Sequence, residues 1–524
     1  MNDFPWLTTL ILVPLVGSVV TGFLPRVPGG DLAKRVGLGF AVLTLVLAAA
    51  AATQYSAGAD LQLTEERDWI KPLGVHYALG VDGLGLLMVL LTAVLVPFVL
   101  LASWRDTDES IVVRAVRQGS ANAFFGWALA LEALSIAVFT ATDVFLFYVV
   151  FEATLIPAYF LIGGFGRSGR SRAAVKFLVY QLAGGLIMLG SVIGLYVMSA
   201  REGTPTYLLT DLAALDLDGT TGRWLFVGFF VAFAIKAPMF PVHTWLADTT
   251  EKATPGTSVL LVCILDKIGT FGMLRFCLGL FPEASRWATP VVVVLALVSI
   301  VYGAVVAIGQ DDVLRLIGLT SLSHFGFIVL GIFVFSSNGG SGSILYMVNH
   351  GIGTAALFLI AGYLTRRTGT SRISEMGGLE KVTPVLAGLM LVAGLAAAGL
   401  PGLAPFVSEM LVIISAFDHA WWAGAIAVSG IVLAAIYILW MYQRTMTGPV
   451  ARPAVDGMVD LDRREVGAVA PLLVALLLFG FYPAPLLDVI NPYVADTLSD
   501  VGVGDEAPVV PAGAGSTEAQ GGQE

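Results

Sequence analysis

Trp224-Leu-Phe-Val-Gly-Phe-Phe-Val-Ala-Phe-Ala-Ile-Lys236-Ala-Pro238-Met-Phe-Pro241-Val-His243-Thr-Trp-Leu246 is the stretch on which the fold turns. It opens as a continuous apolar run and then places a lysine, two prolines and a histidine inside one membrane-length segment. A spanning helix needs about 20 residues at roughly 1.5 Å each. Proline removes a backbone donor and clashes with the preceding turn, so this reads as a membrane helix broken beside a buried cation. The rest of the chain agrees with that setting. Hydrophobic residues make up 57% and charged residues 13%, against roughly a quarter charged in soluble domains. Such a chain cannot cover a water-exposed surface, so its solvent is largely lipid and nucleic acid is not an expected partner. Met1 to Pro5 carries no Lys or Arg, so the first apolar run lacks a signal-peptide start and reads as a retained helix.

Working outward, the apolar runs give an all-α polytopic membrane protein with about 14 spans, at 7–24, 36–54, 80–101, 122–140, 143–163, 174–199, 224–246, 255–280, 289–308, 313–335, 342–365, 384–414, 421–443 and 466–490. Span 12 is too long for one straight crossing and contains Gly399-Leu-Pro-Gly-Leu-Ala-Pro405, a second break. Short-loop cations set the orientation. The loops after odd spans hold 19 Lys and Arg residues, including Arg26, Arg114, Arg117, Arg167, Arg366 and Arg452, and the loops after even spans hold 5. Both termini are therefore expected on the non-cytoplasmic side of a bacterial plasma (inner) membrane.

Features recur in order. Span 5 starts Asp143-Val-Phe-Leu-Phe and span 10 starts Asp312-Val-Leu-Arg-Leu. Span 6 carries Phe177-Leu-Val-Tyr-Gln-Leu-Ala-Gly-Gly185 and span 11 carries Tyr346-Met-Val-Asn-His350-Gly. A broken span follows in each half. Spans 4–8 and 9–13 thus read as two five-helix repeats, and an odd number per unit inverts the second. Inverted repeats with paired broken helices mark transporters, with the ion site near the midplane at the breaks. The division expected is 1–121 as an N-terminal three-helix segment, 122–281 and 282–446 as the two repeats, 447–491 as a C-terminal helix, and 492–524 as a disordered Pro/Gly-rich tail.

A charge at the bilayer centre costs about 2.5–3.5 kcal/mol even on a lenient scale. The chain nonetheless places Glu132, Glu152, Lys236, Asp266, Lys267, Arg275 and Glu409, with His243, His324 and His350, in apolar helices. The plain alternative is structural: ion pairs that stitch the bundle, or side chains that reach an interface, which Arg275 near a helix end could do. Glu152, Lys236, Lys267 and Glu409 lie near mid-span, and two of them sit at breaks. A broken helix admits water and points a dipole end inward. Desolvating a lysine there is worth roughly 4–5 kcal/mol, comparable to the roughly 4.6 kcal/mol needed to move one charge against about 200 mV. A lysine toggling between a nearby carboxylate and a dry setting can therefore carry a proton uphill. Glu152 is the natural partner for Lys236, Glu409 a second carrier, and His243, His324 and Lys267 relays. Asp266 beside Lys267 has no account from sequence, since adjacent helical residues point about 100° apart.

Other chemistries find little support. Gly80-Val-Asp-Gly-Leu-Gly85 reads as following no strand and opening a membrane helix, so it is not taken as a dinucleotide loop. Cys263 and Cys277 have no metal-ligand spacing and read as buried hydrophobes. His324 and His350 on consecutive spans are the pair that could hold a haem.

The motifs resemble a known family. Phe151-Glu-Ala-Thr-Leu-Ile-Pro-Ala-Tyr-Phe-Leu-Ile-Gly163 is similar to the FWE…P.YFLIG signature of the antiporter-like subunits of NADH-quinone oxidoreductase, respiratory complex I. Lys236-Ala-Pro…Pro241-Val-His-Thr-Trp-Leu-Ala-Asp248, with Ala253-Thr-Pro255, Ser258-Val-Leu-Leu261 and Lys267-Ile-Gly-Thr-Phe-Gly272, resembles the K.P..P.H.WLPDAH…APT..S…L.K…YG block. Asp312…Arg315-Leu-Ile…Ser321-Leu-Ser-His324-Phe-Gly326 resembles D.KRLIAYSSISHMG. The likeness runs from about residue 80 to 445. Gly399-Leu-Pro-Gly-Leu-Ala-Pro-Phe-Val-Ser-Glu409 matches the branch with Glu rather than Lys in the second broken helix. Leu314, Ala247 and Thr250 depart from the family pattern and leave the main candidates untouched.

The resemblance implies roles: Glu152 and Lys236 as acid and central proton lysine, Lys267 as connector, His243, His324 and His350 as relays, and Glu409 as exit carrier; Glu132, placed in an apolar helix, is a further candidate for the proton path. It implies proton translocation coupled to electron transfer from NADH to quinone, with no cofactor or metal in this chain and FMN and iron–sulfur clusters in partner subunits. Partners would be other membrane subunits of the complex, homologous antiporter-like subunits on both flanks, and lipid. The alternative is the matching subunit of a multi-subunit sodium/proton antiporter or membrane-bound hydrogenase.

Overall fold

Lipid offers no hydrogen bonds, so each backbone N–H and C=O must be satisfied within its own segment, and apolar sequence goes into helices. A computed structural model describes residues 4–25, 30–106, 120–203, 205–215, 217, 219–450 and 458–504. Twelve helices among the described residues are long and apolar enough to cross a membrane. They are Trp6–Phe23, Asp31–Ala52, Gly83–Arg105, Ala121–Thr140, Val144–Gly164, Arg170–Glu202, Pro255–Leu278, Pro282–Ile308, Val313–Phe333, Ser337–Thr368, Trp421–Met446 and Arg463–Phe481, falling on spans 1–6, 8–11, 13 and 14. Spans 7 and 12 each come in two pieces, Gly219–Lys236 with Thr244–Lys252 and Pro384–Ala397 with Ala404–His419.

Side chains take up backbone groups that the first break frees. In span 7 the Trp245 indole donates to the Ile235 carbonyl at 3.0 Å, and the Phe240 N–H donates to Ser299 Oγ at 3.0 Å. In span 12 Gly399 (φ +69°) and Gly402 (φ +92°) turn the chain through left-handed conformations that a side chain would strain. Spans 8, 10 and 11 are wholly enclosed by the others. Large apolar residues such as Val46, Val179, Leu186, Val291 and Val432 face outward, as a lipid-facing surface requires.

The structure corrects the sequence reading in three places. The chain is not wholly α: Gln62–Ile70 (β1) and Val75–Val81 (β2) form an antiparallel hairpin between spans 2 and 3, closed through Gly74 at φ +62°. Span 14 stops at Phe481, and a separate helix, Ala484–Asp500, follows. Residues 492–500, expected in the disordered tail, are therefore helical. Their polarity hides a stripe of Ile490, Tyr493, Val494 and Leu498 buried against the bundle at helical spacing. The remainder of that expected tail, from 505, lies outside the described residues. Span 5 is interrupted at Thr154, whose hydroxyl donates to the Phe151 carbonyl at 2.6 Å.

The loops after odd spans meet at one end of the bundle. Arg105 pairs with Asp462 at 3.1 Å, Arg366 with Asp106 at 3.1 Å, Arg315 with Glu251 at 2.8 Å, and Arg444 with Asp311 at 3.3 Å. Arg26, Arg114, Arg117 and Arg452, counted for orientation, lie outside the described residues. Asp143 and Asp312 cap the starts of spans 5 and 10 in the same way, accepting from backbone N–H groups at 2.9–3.0 Å. Asp143 also accepts from the His76 N–H of the hairpin, whereas Asp312 pairs with Arg167, just past the end of span 5. Spans 5 and 10 thus start at opposite ends of the bundle.

Candidate functional site

Lys236 is the last residue of the first half-helix of span 7, where the partial negative charge of the helix end favours a cation. Its ammonium group is fully buried, donates to Thr154 Oγ1 at 3.2 Å and lies 4.4 Å from the centre of the Phe151 ring. The Thr154 interruption of span 5 is what turns that hydroxyl toward it. Glu152, expected as the partner, is within electrostatic range of Lys236, but the ammonium's hydrogen bond goes to Thr154 and no ion pair within 4.0 Å joins the two among the described residues. Its carboxylate rests instead on Gly185 of span 6, and its Oε1 has no hydrogen-bond partner. The two side chains therefore lie near each other without a direct contact.

Lys267 begins a short α segment, Lys267–Gly272, set between two π turns, Leu260–Leu265 and Met273–Leu278. Such π turns rotate the following side chains relative to an ideal helix and recur at functional sites. The Lys267 Nζ meets His350 Nδ1 at 2.7 Å and lies 4.2 Å from the Phe325 ring centre. His350 and His324 face each other edge to face with ring centres 5.2 Å apart. His324 Nε2 and the Tyr437 hydroxyl are 3.3 Å apart. One helical turn before His350, the Tyr346 hydroxyl donates to Glu409 Oε1 at 2.6 Å. The Glu409 carboxylate rests on Gly399 at the second break and keeps Oε2 unpartnered. Asn349 ties the same helix to the second half of span 12 through the Ala404 carbonyl at 2.8 Å.

Four expected residues, Lys267, His350, His324 and Glu409, thus come together in one buried row from span 8 to the second break. Two tyrosines belong to it that sequence reading passed over. Tyr346 was within reach of a search, at four residues before His350 on the same helix face. Tyr437 offered only a phenol in mid-span. His243 does not join the row: its ring neighbours are Phe240 and Tyr302, and it has no hydrogen bond to any other candidate. Glu132 is buried with both oxygens unpartnered. His324 and His350 contact each other and the row, without the open space between facing imidazoles that a haem needs. Arg275 does not reach an interface but forms a buried two-point pair with Asp82 at 2.7 and 2.8 Å.

A row of buried acids, bases and phenols running from span 8 to the second break is suited to passing protons. Comparison with known proteins gives the same direction. Residues 141–434 match the family described as NADH:quinone oxidoreductase/Mrp antiporter, TM. The chain is 48% identical to NADH-quinone oxidoreductase subunit M of Mycobacterium tuberculosis over 97% of both chains. In solved structures, a chain of respiratory complex I from Thermus thermophilus with bound NADH superposes with a TM-score of 0.85 at 32% identity, covering 95% of this chain and 100% of that one. A chain of the Mrp complex from Dietzia sp. DQ12-45-1b shares the fold, with a TM-score of 0.81 at 23% identity over 96% of this chain and 100% of that one. The chain belongs to the NADH:quinone oxidoreductase/Mrp antiporter membrane family, on the branch of NADH-quinone oxidoreductase subunit M.

Proposed function

We propose that this chain is a proton-translocating membrane subunit of NADH-quinone oxidoreductase, moving protons across a bacterial plasma membrane as electrons pass from NADH to quinone elsewhere in the complex. The observation that carries the reading is the buried row Lys267–His350–His324 with Tyr346–Glu409, joined to the Lys236 break by span 8. Glu152 and Lys236 act as the first acid–lysine pair, Lys267 as connector, the histidines and Tyr346 as relay, and Glu409 as the second carrier. Glu132 and His243 serve as side groups to the path. In this reading the chain crosses the membrane fourteen times with both termini on the non-cytoplasmic side. Residues 122–281 and 282–446 act as inverted repeats, between the leading three spans of 1–121 and the C-terminal helices.

The driver lies outside the chain. Homologous antiporter-like subunits flank it on both sides within lipid, and FMN and iron–sulfur clusters sit in other partners. A second reading, a subunit of a sodium/proton antiporter assembly, draws on the shared fold; flavin and iron–sulfur signals in the purified parent complex decide between the two. NADH-driven proton pumping in membrane vesicles tests the main reading, with Lys236→Ala and Glu152→Gln compared with wild type after assembly is verified. Loss of pumping in an assembled complex is expected. Unchanged pumping in both variants would remove these residues from the path.

A further inference from the structure

The path as drawn has a gap. Among the described residues no hydrogen bond joins Lys236 to Lys267: the first is held by Thr154 and the second by His350. Asp266 stands where the two halves meet. It is fully buried, neither carboxylate oxygen has a hydrogen-bond partner, and it interacts electrostatically with both lysines. An unpaired carboxylate in a dry interior is costly to keep, so its presence asks for a reason.

The packing of span 8 puts it there. Gly269 is pressed so closely on the span 7 break that an added Cβ would lie 2.4 Å from the Ala237 nitrogen, next to Lys236. Asp266 lies three residues before Gly269, on the same helix face. The π turn that precedes it, closed by the Asp266 N–H on the Leu261 carbonyl at 2.9 Å, fixes that face toward span 7. Lys267, about 100° further round the helix, faces His350 instead. Adjacent residues therefore address the two halves separately.

We propose that Asp266 is a proton-carrying residue bridging the halves of the path, exchanging a proton with Lys236 on one side and with Lys267 on the other. In the step, a proton leaves the Lys236 ammonium for the Asp266 carboxylate, leaving a neutral amine and a carboxylic acid. That acid then gives the proton to a neutral Lys267, restoring the carboxylate, and the reverse order balances equally. The proposal rests on the proton-path reading above. It assigns a role to a residue that the opposing structural account would treat as a fixed counter-charge.

The test is NADH-driven pumping in vesicles holding the whole complex, with Asp266→Asn, Asp266→Glu and Lys236→Ala side by side. Positioned proton-transfer groups contribute on the order of 100-fold or more to their step. Asp266→Asn is expected to slow pumping by that factor in an assembled complex, and Asp266→Glu to retain most of it. Infrared difference spectra with and without NADH are expected to show a protonated-carboxyl band that shifts in Asp266→Glu and is missing in Asp266→Asn. Pumping lost in Lys236→Ala but normal in Asp266→Asn overturns the role of Asp266 and leaves the path standing. Normal pumping in Lys236→Ala overturns the path and this proposal with it. Should Asp266→Asn fail to assemble, Asp266→Glu and the infrared band decide, and absence of a band responsive to position 266 overturns the proposal.

Discussion

Gly185→Ala offers a test of position alone, because it leaves every titratable group in place. Gly185 lies within the helix Arg170–Glu202, where alanine is favoured over glycine by roughly 1 kcal/mol, so folding should not suffer. The new Cβ would fall 1.8 Å from Glu152 Oε1 and 2.5 Å from its Cδ. Ordinary contact begins at 3.4 Å, so the carboxylate must move by about 1.6 Å. Misplacing a reacting group by about 1 Å can cost on the order of 100-fold in rate. NADH-driven pumping in vesicles is therefore expected to fall between about tenfold and 100-fold, with complex content unchanged on native gels. Gly190→Ala is the matched control, five residues on in the same helix with nothing within 4 Å of its added Cβ, and is expected to pump normally. Equal pumping by the two variants would refute the idea that Glu152 works from the place where Gly185 lets it rest.

Other perturbations follow from the same geometry. Tyr346→Phe removes a 2.6 Å hydrogen bond to Glu409 worth about 1.5–3 kcal/mol, and pumping is expected to fall by about tenfold or more, while Tyr437→Phe, losing a 3.3 Å contact, has the smaller effect. Gly399→Ala puts a side chain at φ +69° and a Cβ 2.1 Å from Glu409 Oε2, so thermal stability of the assembled complex drops, by about 1–2 kcal/mol from backbone strain alone, and pumping drops with it. Asp82→Ala strands a buried guanidinium and is expected to cost about 3–5 kcal/mol, read as reduced complex content, whereas the joint replacement of Asp82 and Arg275 by apolar residues recovers much of it.

Much of the architecture was open to reading from sequence. Apolar length places spans, and Pro238, Pro241, Pro401 and Pro405 place the breaks, because these are local consequences of hydrogen-bond chemistry. Buried charge likewise announces itself wherever Lys236, Lys267 or Glu409 interrupts an apolar run. The misses share a cause. β2 and the first turns of the helix Ala484–Asp500 are apolar enough to merge with the neighbouring spans 3 and 14, and β1 and the rest of that helix are polar, so the membrane signal is silent and amphipathic spacing must be sought instead.

Sequence by itself determined that this is a membrane bundle, that spans 7 and 12 are broken at their prolines, and that Lys236, Lys267 and Glu409 lie inside it, because those follow from what a lipid solvent allows each segment; Lys34, Asp82, Asp143 and Glu465, buried at segment ends, were not legible there. Tertiary structure alone decided how the buried groups connect. It set Lys267 on His350, Tyr346 on Glu409, Lys236 on Thr154, Glu152 apart on Gly185, and Asp266 toward the first break. The reason is rotational. A helix's sequence fixes which residues share a face, but which neighbour that face meets depends on packing depth, on glycines that admit close approach, and on π turns that re-aim the side chains beyond them.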